Sequence, residues 1–196
     1  TNNPDLDPQE SRTWDVGAEQ PLFGRMIVFE LSLFRSKFKN MFGTDGSGKT
    51  VNKDRVTTEG MELSARIAPV PELSIEGSYT YLKKAEDEST GKRLTRNPKH
   101  QGSAYVNLFL FSRLNINCGI RYVSERDDSW YDNTSWSNKN VSLGDYYVAS
   151  AGVSYNVLEN VQVFARAENI LGEEYEEPAG YETPRRSAYG GLKVVF

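Results

Sequence analysis

Residues 73–81 read Leu-Ser-Ile-Glu-Gly-Ser-Tyr-Thr-Tyr, in which apolar or small residues alternate with polar ones. Successive side chains of a β-strand point to opposite faces, so this alternation predicts a strand with one face in apolar surroundings and the other against water or polar groups. The same pattern returns at residues 61–67, 114–122 and 161–168. Because a helical period is sustained nowhere in the sequence, the chain is predicted to be all-β.

Nine strands are predicted, and the connections between them alternate between short turns and long polar loops. The strands are residues 12–20, 26–41, 57–68, 73–85, 100–111, 114–125, 145–156, 161–171 and 186–196. The short turns are residues 20–25, 68–72, 111–114 and 156–160, and the long loops are residues 43–56, 86–99, 125–144 and 172–185. Loops of more than about 12 residues are uncommon in compact domains, but outer-membrane barrels have short turns on the periplasmic side and long loops outside. The sequence therefore predicts an antiparallel transmembrane β-barrel segment.

Strand length and aromatic placement favour the same fold. A tilted strand needs roughly 9–11 residues to cross a membrane, and several of the predicted strands are that long. Tyr147 and Tyr155 share one face of the seventh predicted strand, near its two ends, as expected for residues at the two membrane interfaces. Since bacterial single-chain barrels have even numbers of strands, the odd strand count predicts that residues 1–196 are part of a larger barrel.

The composition excludes several classes of function. The 23 basic and 27 acidic residues give a net charge of −4, which argues against the clustered positive charge of a nucleic-acid-binding protein. The chain has one cysteine, Cys118, and one histidine, His100; these cannot form an internal disulfide and are too few soft ligands for a metal site. We therefore predict no nucleic-acid partner, no metal site, no cofactor and no catalytic residues. His100 is interpreted as a hydrogen-bonding residue at the start of a strand.

Residues 43–50, Gly-Thr-Asp-Gly-Ser-Gly-Lys-Thr, match the phosphate-loop pattern of nucleotide-binding enzymes. That chemistry needs a buried parallel strand before the loop and a helix after it. Charged residues interrupt the segment 34–42, and no helical stripe follows the loop. A solvated loop is the favoured interpretation, and a nucleotide-hydrolysing enzyme is an alternative that rests on these residues alone.

The longest predicted loop carries three candidate ligand-binding residues, Trp130, Tyr131 and Trp136. Their rings could contact a ligand by stacking or apolar packing, or they could cover the rim of the barrel. Acidic residues in the segments 125–132 and 173–177 are interpreted as solvated loop acids, with calcium binding through carboxylate oxygens as the alternative.

Five segments, in order along the chain, resemble elements of the TonB-dependent outer-membrane receptors. They are Asn3-Pro4-x-Leu6-x-Pro8-x-Glu10-Ser11 with Trp14 and Gly17, Glu59-Gly60-Met61-Glu62, Arg96-Asn97-Pro98-Lys99-His100, Asn169-Ile170-Leu171-Gly172-Glu173-Glu174-Tyr175, and Gly180-Tyr181-x-x-Pro184-x-Arg186. Gly172 stands where the family usually has Asp, and Arg185 where it usually has Gly. The Gly-Tyr-x-x-Pro ending resembles the cobalamin and siderophore receptor branch.

The end of the chain resembles the outer-membrane assembly signal. Tyr189, Gly191, Val194 and Phe196 occupy its polar or aromatic, glycine, apolar and terminal aromatic places. This resemblance implies that the barrel-assembly machinery binds the last strand.

The family resemblance implies a 22-stranded barrel that is closed inside by a separate N-terminal plug. Residues 1–196 would then be its C-terminal part, the last nine strands, with the plug and the earlier strands absent. The implied function is energised, TonB-dependent uptake of a scarce nutrient, such as an iron–siderophore chelate or cobalamin, across the outer membrane of a Gram-negative bacterium. The implied partners are that ligand, outer-membrane lipid and lipopolysaccharide, the barrel-assembly machinery, and the TonB complex through the missing N-terminal part. The alternative is a passive porin-like outer-membrane barrel without energy coupling.

Overall fold

A computed structural model describes residues 3–45 and 48–196 of the chain. In these residues it contains twelve β-strands and no helix, and therefore no helix that could cross a membrane. The strands are β1 (Glu10–Leu22), β2 (Ile27–Thr44), β3 (Thr50–Val70), β4 (Leu73–Asp87), β5 (Lys92–Arg93), β6 (His100–Leu110), β7 (Leu114–Val123), β8 (Arg126–Asp132), β9 (Ser137–Leu143), β10 (Tyr146–Leu158), β11 (Val161–Glu168) and β12 (Ser187–Val194).

One antiparallel sheet contains nine long strands in the order β1-β2-β3-β4-β6-β7-β10-β11-β12, with the short β5 paired to β4. Each long strand therefore lies beside the long strand that precedes it in the chain, as in an up-and-down barrel. The two remaining strands, β8 and β9, form a separate hairpin. The all-β prediction and the nine predicted strands of the main sheet are confirmed.

Short and long connections leave the sheet at opposite ends. Residues 23–26, 71–72, 111–113 and 159–160 form the short turns at one end. Residues 45–49, 88–99, 124–145 and 169–186 connect the strands at the other, which we call the long-loop end. The predicted alternation of short turns with longer connections is confirmed.

Two of the predicted loops are largely strand. The loop predicted at 125–144 contains the hairpin of β8 and β9, paired from Arg126 with Leu143 to Asp132 with Ser137. The loop predicted at 43–56 is shortened because β2 extends to Thr44 and β3 begins at Thr50. Both segments are mostly polar, so they lack the sustained alternation that marks a strand with one buried face, although backbone pairing does not need it.

The residues that match a phosphate loop form the connection between β2 and β3. Gly43 and Thr44 pair with Val51 and Thr50 of the antiparallel β3, and a strand rather than a helix follows. Gly46 and Ser47, within the same match, lie outside the described residues. Among the described residues, a strand therefore stands where a phosphate loop has its helix, which argues against the nucleotide-hydrolysing alternative.

The two faces of the main sheet differ in chemistry. Direct cross-strand partners of an antiparallel sheet lie on the same face, so the register assigns each side chain to a face. We call the apolar face the outer face; it carries Leu31, Leu63, Ile75, Val106, Ile116, Val153, Val163 and Leu192. The opposite, inner face is polar; it carries Glu30, Ser64, Ser78, Ser103, Asn117 and Arg166. An apolar surface this extensive needs an apolar solvent such as lipid.

Aromatic residues bound the apolar band on the outer face. Tyr147 pairs with Tyr122, and their ring centroids are 4.6 Å apart. Tyr155, eight positions further along β10, pairs with Leu114. A tilted strand rises roughly 19 Å over eight residues, which is near the separation of the two aromatic girdles of a membrane barrel. The predicted shared face of Tyr147 and Tyr155 is confirmed.

Candidate functional site at the long-loop end

Three connections meet at the long-loop end of the sheet: residues 94–99, the β8–β9 hairpin, and residues 169–186. We call this assembly the loop module. Asp128 of β8 lies at its centre with no exposed surface. Its Oδ1 accepts a hydrogen bond from Arg96 Nε at 2.6 Å, and its Oδ2 accepts one from the backbone amide of Ala179 at 2.8 Å. One carboxylate therefore links all three connections.

Strand geometry places Asp128 inward. Alternate residues of β8 point to the same side, so Arg126, Asp128 and Asp132 are buried while Asp127 and Tyr131 are exposed. Burial by itself raises the pKa of Asp128, but the hydrogen bonds from the Ala179 amide, the Arg96 guanidinium and the Ser129 amide outweigh it and hold the pKa below its usual range. The carboxylate is therefore ionised at neutral pH and acts as an acceptor only.

A second set of contacts joins residues 169–186 to the top of the sheet. Arg126 donates to the backbone carbonyl of Glu176 at 2.6 Å, and Arg121 of β7 forms an ion pair with Glu177 at 3.0 Å. The fully buried ring of Tyr146 lies beneath both guanidinium groups, at 5.2 Å from Arg126 and 5.7 Å from Arg121.

Tyr175 packs against the same group of residues: its ring stacks on the ring of Tyr146 with a centroid distance of 4.1 Å. Cation–π and stacking contacts of this kind are strongest when desolvated. The loop module is therefore packed against the sheet rather than held by its chain ends alone.

The segment Asn169–Tyr175 forms a tight turn that explains its motif. Asn169 is buried; it accepts a hydrogen bond from the Glu173 amide at 2.9 Å and donates to the Glu173 and Pro184 carbonyls at 2.8 and 3.2 Å. Gly172 has a φ of +74°, and a Cβ there would lie 2.6 Å from Arg186 Nε. The positive φ and the close Arg186 side chain account for glycine where the resembled family usually has Asp.

The three predicted ligand-binding aromatics do not form one surface. Trp130 lies on the Asp128 side of β8, and a Cβ at Gly180 would be 3.8 Å from its ring. Tyr131 points to the opposite side of the hairpin, and Trp136, 78% exposed, lies in the turn at its tip. Contact between these residues and a ligand stays a prediction, with Tyr131 and Trp136 the more accessible.

The interpretation of the loop acids as solvated is wrong for two of them. Asp128 has the buried role described above, and Asp132 forms an ion pair with Lys139 and accepts hydrogen bonds from Thr134 and Ser135. The hydrogen bond from Lys139, with those from Thr134 and Ser135, lowers the pKa of Asp132. Among the described residues, the acids do not gather into a group of three that could hold a metal ion. The sequence does carry one signal of this arrangement. If residues 126–132 form a strand, the charged residues at 126, 128 and 132 lie on the same side of it.

His100 begins β6 and has the role expected for it. Its backbone amide donates to Ser124 Oγ at 3.0 Å, and its ring nitrogen Nδ1 lies 2.7 Å from the Tyr79 hydroxyl. Its ring also stacks on Tyr81, with the centroids 5.1 Å apart. The prediction of a hydrogen-bonding residue at a strand start is confirmed.

The residues of the resembled assembly signal lie in and after β12. Tyr189 and Gly191 face inward opposite Arg166 and Phe164, and a Cβ at Gly191 would lie 2.7 Å from the Phe164 ring. Val194 is the last strand residue, and Phe196 follows it, exposed. Binding of the assembly machinery to these residues stays a prediction.

A cavity of about 340 Å³ opens beside the loop module, between residues 142–145 and 174–185. Its charged lining is mostly acidic: Asp145, Glu174, Glu176, Glu182 and the single cation Arg185. Arg185 is paired with Glu174 at 2.9 Å, so the charge left in the cavity is negative.

Comparison with known proteins gives matches along the whole chain. A family model described as TonB dependent receptor-like, beta-barrel, matches residues 1–170. The vitamin B12 transporter BtuB of Vibrio cholerae serotype O1 is 29% identical over 203 residues, which cover 99% of this chain and 31% of the transporter. The chain thus spans about a third of the length of the curated relatives it matches.

Solved structures with the same fold include three receptors. The siderophore receptor PirA from Acinetobacter baumannii has a TM-score of 0.81 and 16% identity, covering 99% of this chain and 33% of that receptor. A mutant of the ferric enterobactin receptor PfeA from Pseudomonas aeruginosa gives 0.78 and 19%, covering 96% and 31%. The ferripyoverdine receptor of the same organism gives 0.79 and 18%, covering 96% and 27%.

Proposed function

Because the chain belongs to the TonB-dependent receptor-like β-barrel family, we propose that it forms barrel wall and surface loops of an outer-membrane nutrient receptor in a Gram-negative bacterium. In this arrangement the outer face of the sheet contacts lipid, and the inner face lines the lumen. The short turns face the periplasm, and the long-loop end faces the medium.

The loop module is the observation that carries the proposal. A buried carboxylate, two guanidinium groups and a Tyr146–Tyr175 stack hold three long connections in one arrangement above the lumen. Loops ordered before a ligand arrives cost less entropy on binding. Such an ordered surface suits a receptor that captures a scarce ligand better than it suits an open, passive pore.

We propose an iron–siderophore chelate or cobalamin as the ligand class. The family assignment supports this proposal, together with the relatives, which include a vitamin B12 transporter and siderophore receptors. Trp130, Tyr131 and Trp136 are proposed to contact the ligand, since all three side chains are exposed at the hairpin, Trp136 the most. Uptake is proposed to be energised by the TonB complex through a part of the receptor outside this wall.

Uptake assays test the proposal. Cells that express the intact receptor are supplied with labelled cobalamin, or with ferric siderophores as the sole iron source, with and without a functional TonB system. We expect one ligand to be bound in both strains and taken up only where TonB is present. Uptake that continues without TonB and rises linearly with ligand concentration would instead establish the passive porin-like alternative.

The sidedness of the loops predicts a labelling pattern in intact cells. An epitope tag at Ser89, in the turn after β4, or at Ser135, at the tip of the β8–β9 hairpin, is expected to be reached by antibody from outside. A tag at Pro71 or Glu159, in two of the short turns, is expected to be reached only after the outer membrane is permeabilised. The reverse pattern would contradict the proposed orientation.

A further inference from the structure

The β8–β9 hairpin has one covered edge and one open edge. Residues 94–99 lie along β8, where the backbone amide of Arg96 donates to the carbonyl of Asp127 at 2.7 Å. Among the described residues, no backbone hydrogen bond joins β9 to any segment other than β8. A strand at the edge of a sheet presents a row of amide and carbonyl groups that can pair with another chain. We call this row the open edge of β9.

The sequence of β9, Ser137–Leu143, does little to prevent pairing at the open edge. Natural edge strands are commonly protected by Pro, by a bulge or by charged side chains. β9 has no Pro, and its pairing with β8 has no register shift. Its single charged residue, Lys139, is already paired with Asp132 across the hairpin. The open edge is therefore accessible to a further strand.

The cavity beside the loop module lies at the end of β9, and we call it the acidic cavity. The strand order places residues 169–186, which connect β11 to β12, on the β9 side of the hairpin. The acidic cavity, of about 340 Å³, separates part of this connection from residues 142–145. A strand added to the open edge therefore reaches the acidic cavity where β9 ends.

Two carboxylates of the acidic cavity are available to a cation. Glu174 is paired with Arg185. Asp145 and Glu182 are exposed, and neither forms an ion pair within 4.0 Å with a residue in the described part of the chain. Charge complementarity therefore favours a partner with basic side chains, and the open edge favours a partner in an extended conformation.

We propose that the open edge of β9 and the acidic cavity together form a docking site for an extended, basic segment of another protein. The segment pairs with β9 as a third strand of the hairpin, and its Lys or Arg side chains enter the cavity beside Asp145 and Glu182. Backbone hydrogen bonds supply affinity, and the cavity supplies the preference for basic residues. This interaction goes beyond nutrient uptake and does not rest on the proposed function.

The test uses synthetic peptides and the intact receptor, purified from outer membranes in mild detergent. The probe is a fluorescein-labelled peptide of alternating Thr and Val that ends in two Lys residues. A second peptide ends in two Glu residues instead. A third is the basic peptide with its backbone amides N-methylated, so that it keeps the charge but cannot donate hydrogen bonds to a strand. Fluorescence anisotropy measures the binding of each peptide.

Two charge-matched double variants test the cavity. Asp145→Asn/Glu182→Gln is expected to bind the basic peptide about tenfold more weakly than the parent, since an exposed ion pair contributes up to about fivefold in affinity. Asp127→Asn/Glu159→Gln removes two exposed charges elsewhere, on the other side of β8 and in a short turn. We expect this control variant to bind the peptide as the parent does.

Hydrogen exchange tests the open edge. We expect bound basic peptide to slow amide exchange in residues 137–143, and the N-methylated peptide to bind weakly and leave that exchange unchanged. The proposal is supported if the parent prefers the basic peptide to both other peptides and β9 becomes protected. Equal binding of the basic and acidic peptides, equal binding of the N-methylated peptide, equal weakening by both variants, or protection of a segment other than β9 would overturn it.

Discussion

Replacement of Ala151 by Arg is expected to prevent assembly of the barrel in the outer membrane. Ala151 lies on the outer face of β10, four residues from Tyr147 and four from Tyr155, and therefore midway between the two aromatic levels. An Arg at the middle of the bilayer costs roughly 2–4 kcal/mol in membrane barrels. The loss of assembled barrel is measured as the amount of receptor in the outer-membrane fraction and by its heat-modifiable mobility on gels.

The neighbouring position gives a matched control. Ser150→Arg adds the same side chain one residue away, on the inner face, where Ser150 pairs with Gly119 of β7. We expect this variant to reach the outer membrane in nearly normal amount, because the polar face does not remove the new charge from water. If the two variants were reduced in the outer membrane to the same extent, or if both were present there in normal amount, the assignment of the outer face to lipid would be contradicted.

The main sheet could be predicted from sequence because its signals are local. In β7, apolar residues from Leu114 to Tyr122 alternate with polar ones, and one face of that strand needs apolar surroundings while the other does not. The turn at 111–113 ends the pattern where β6 ends. Each strand carries its own evidence in this way, and its partner in the sheet is its neighbour in the chain.

The loop module could not be predicted in the same way, because its partners are remote in sequence and its buried groups are charged. Asp128 is bound by the amide of Ala179, which is 51 positions away, and no local pattern links them. A search for alternating hydrophobic residues cannot find a strand such as β8, because its inward residues include Arg126, Asp128 and Asp132. The same alternation places the Trp130 ring on the Asp128 side of the hairpin, near Gly180, and Tyr131 on the opposite side.

Acid is expected to loosen the loop module, with Asp128 as the group responsible. Its pKa in the folded protein is held below the unfolded value of about 3.9. Stability from a carboxylate with a lowered pKa is fully present above the unfolded value and is lost as the pH falls through the folded value. Protease cleavage within residues 169–186 of the intact receptor should therefore accelerate below about pH 4, and this acceleration should be absent from a variant without the carboxylate.

Asp128→Ala is expected to release the loop module while leaving the barrel assembled. The change leaves the Ala179 amide without its acceptor in a buried place, and an unsatisfied buried donor costs about 1–3 kcal/mol. Arg96 adds little to this cost, because its side chain is 57% exposed and can be resolvated. A loss of about 2 kcal/mol raises the open population, and with it the protease cleavage of residues 169–186, by roughly 30-fold.

Asp127→Ala is the matched control for this change. Asp127 is adjacent in β8 but exposed on the opposite side, and its contact with Arg96 is made by its backbone carbonyl, which the substitution keeps. We expect that control to match the parent in cleavage rate and in ligand uptake. The Asp128 variant should be present in the outer membrane in normal amount yet take up ligand poorly, since its loops no longer hold one arrangement before binding. If Asp128→Ala left cleavage and uptake at the level of Asp127→Ala, the buried carboxylate would not be what holds the three connections together.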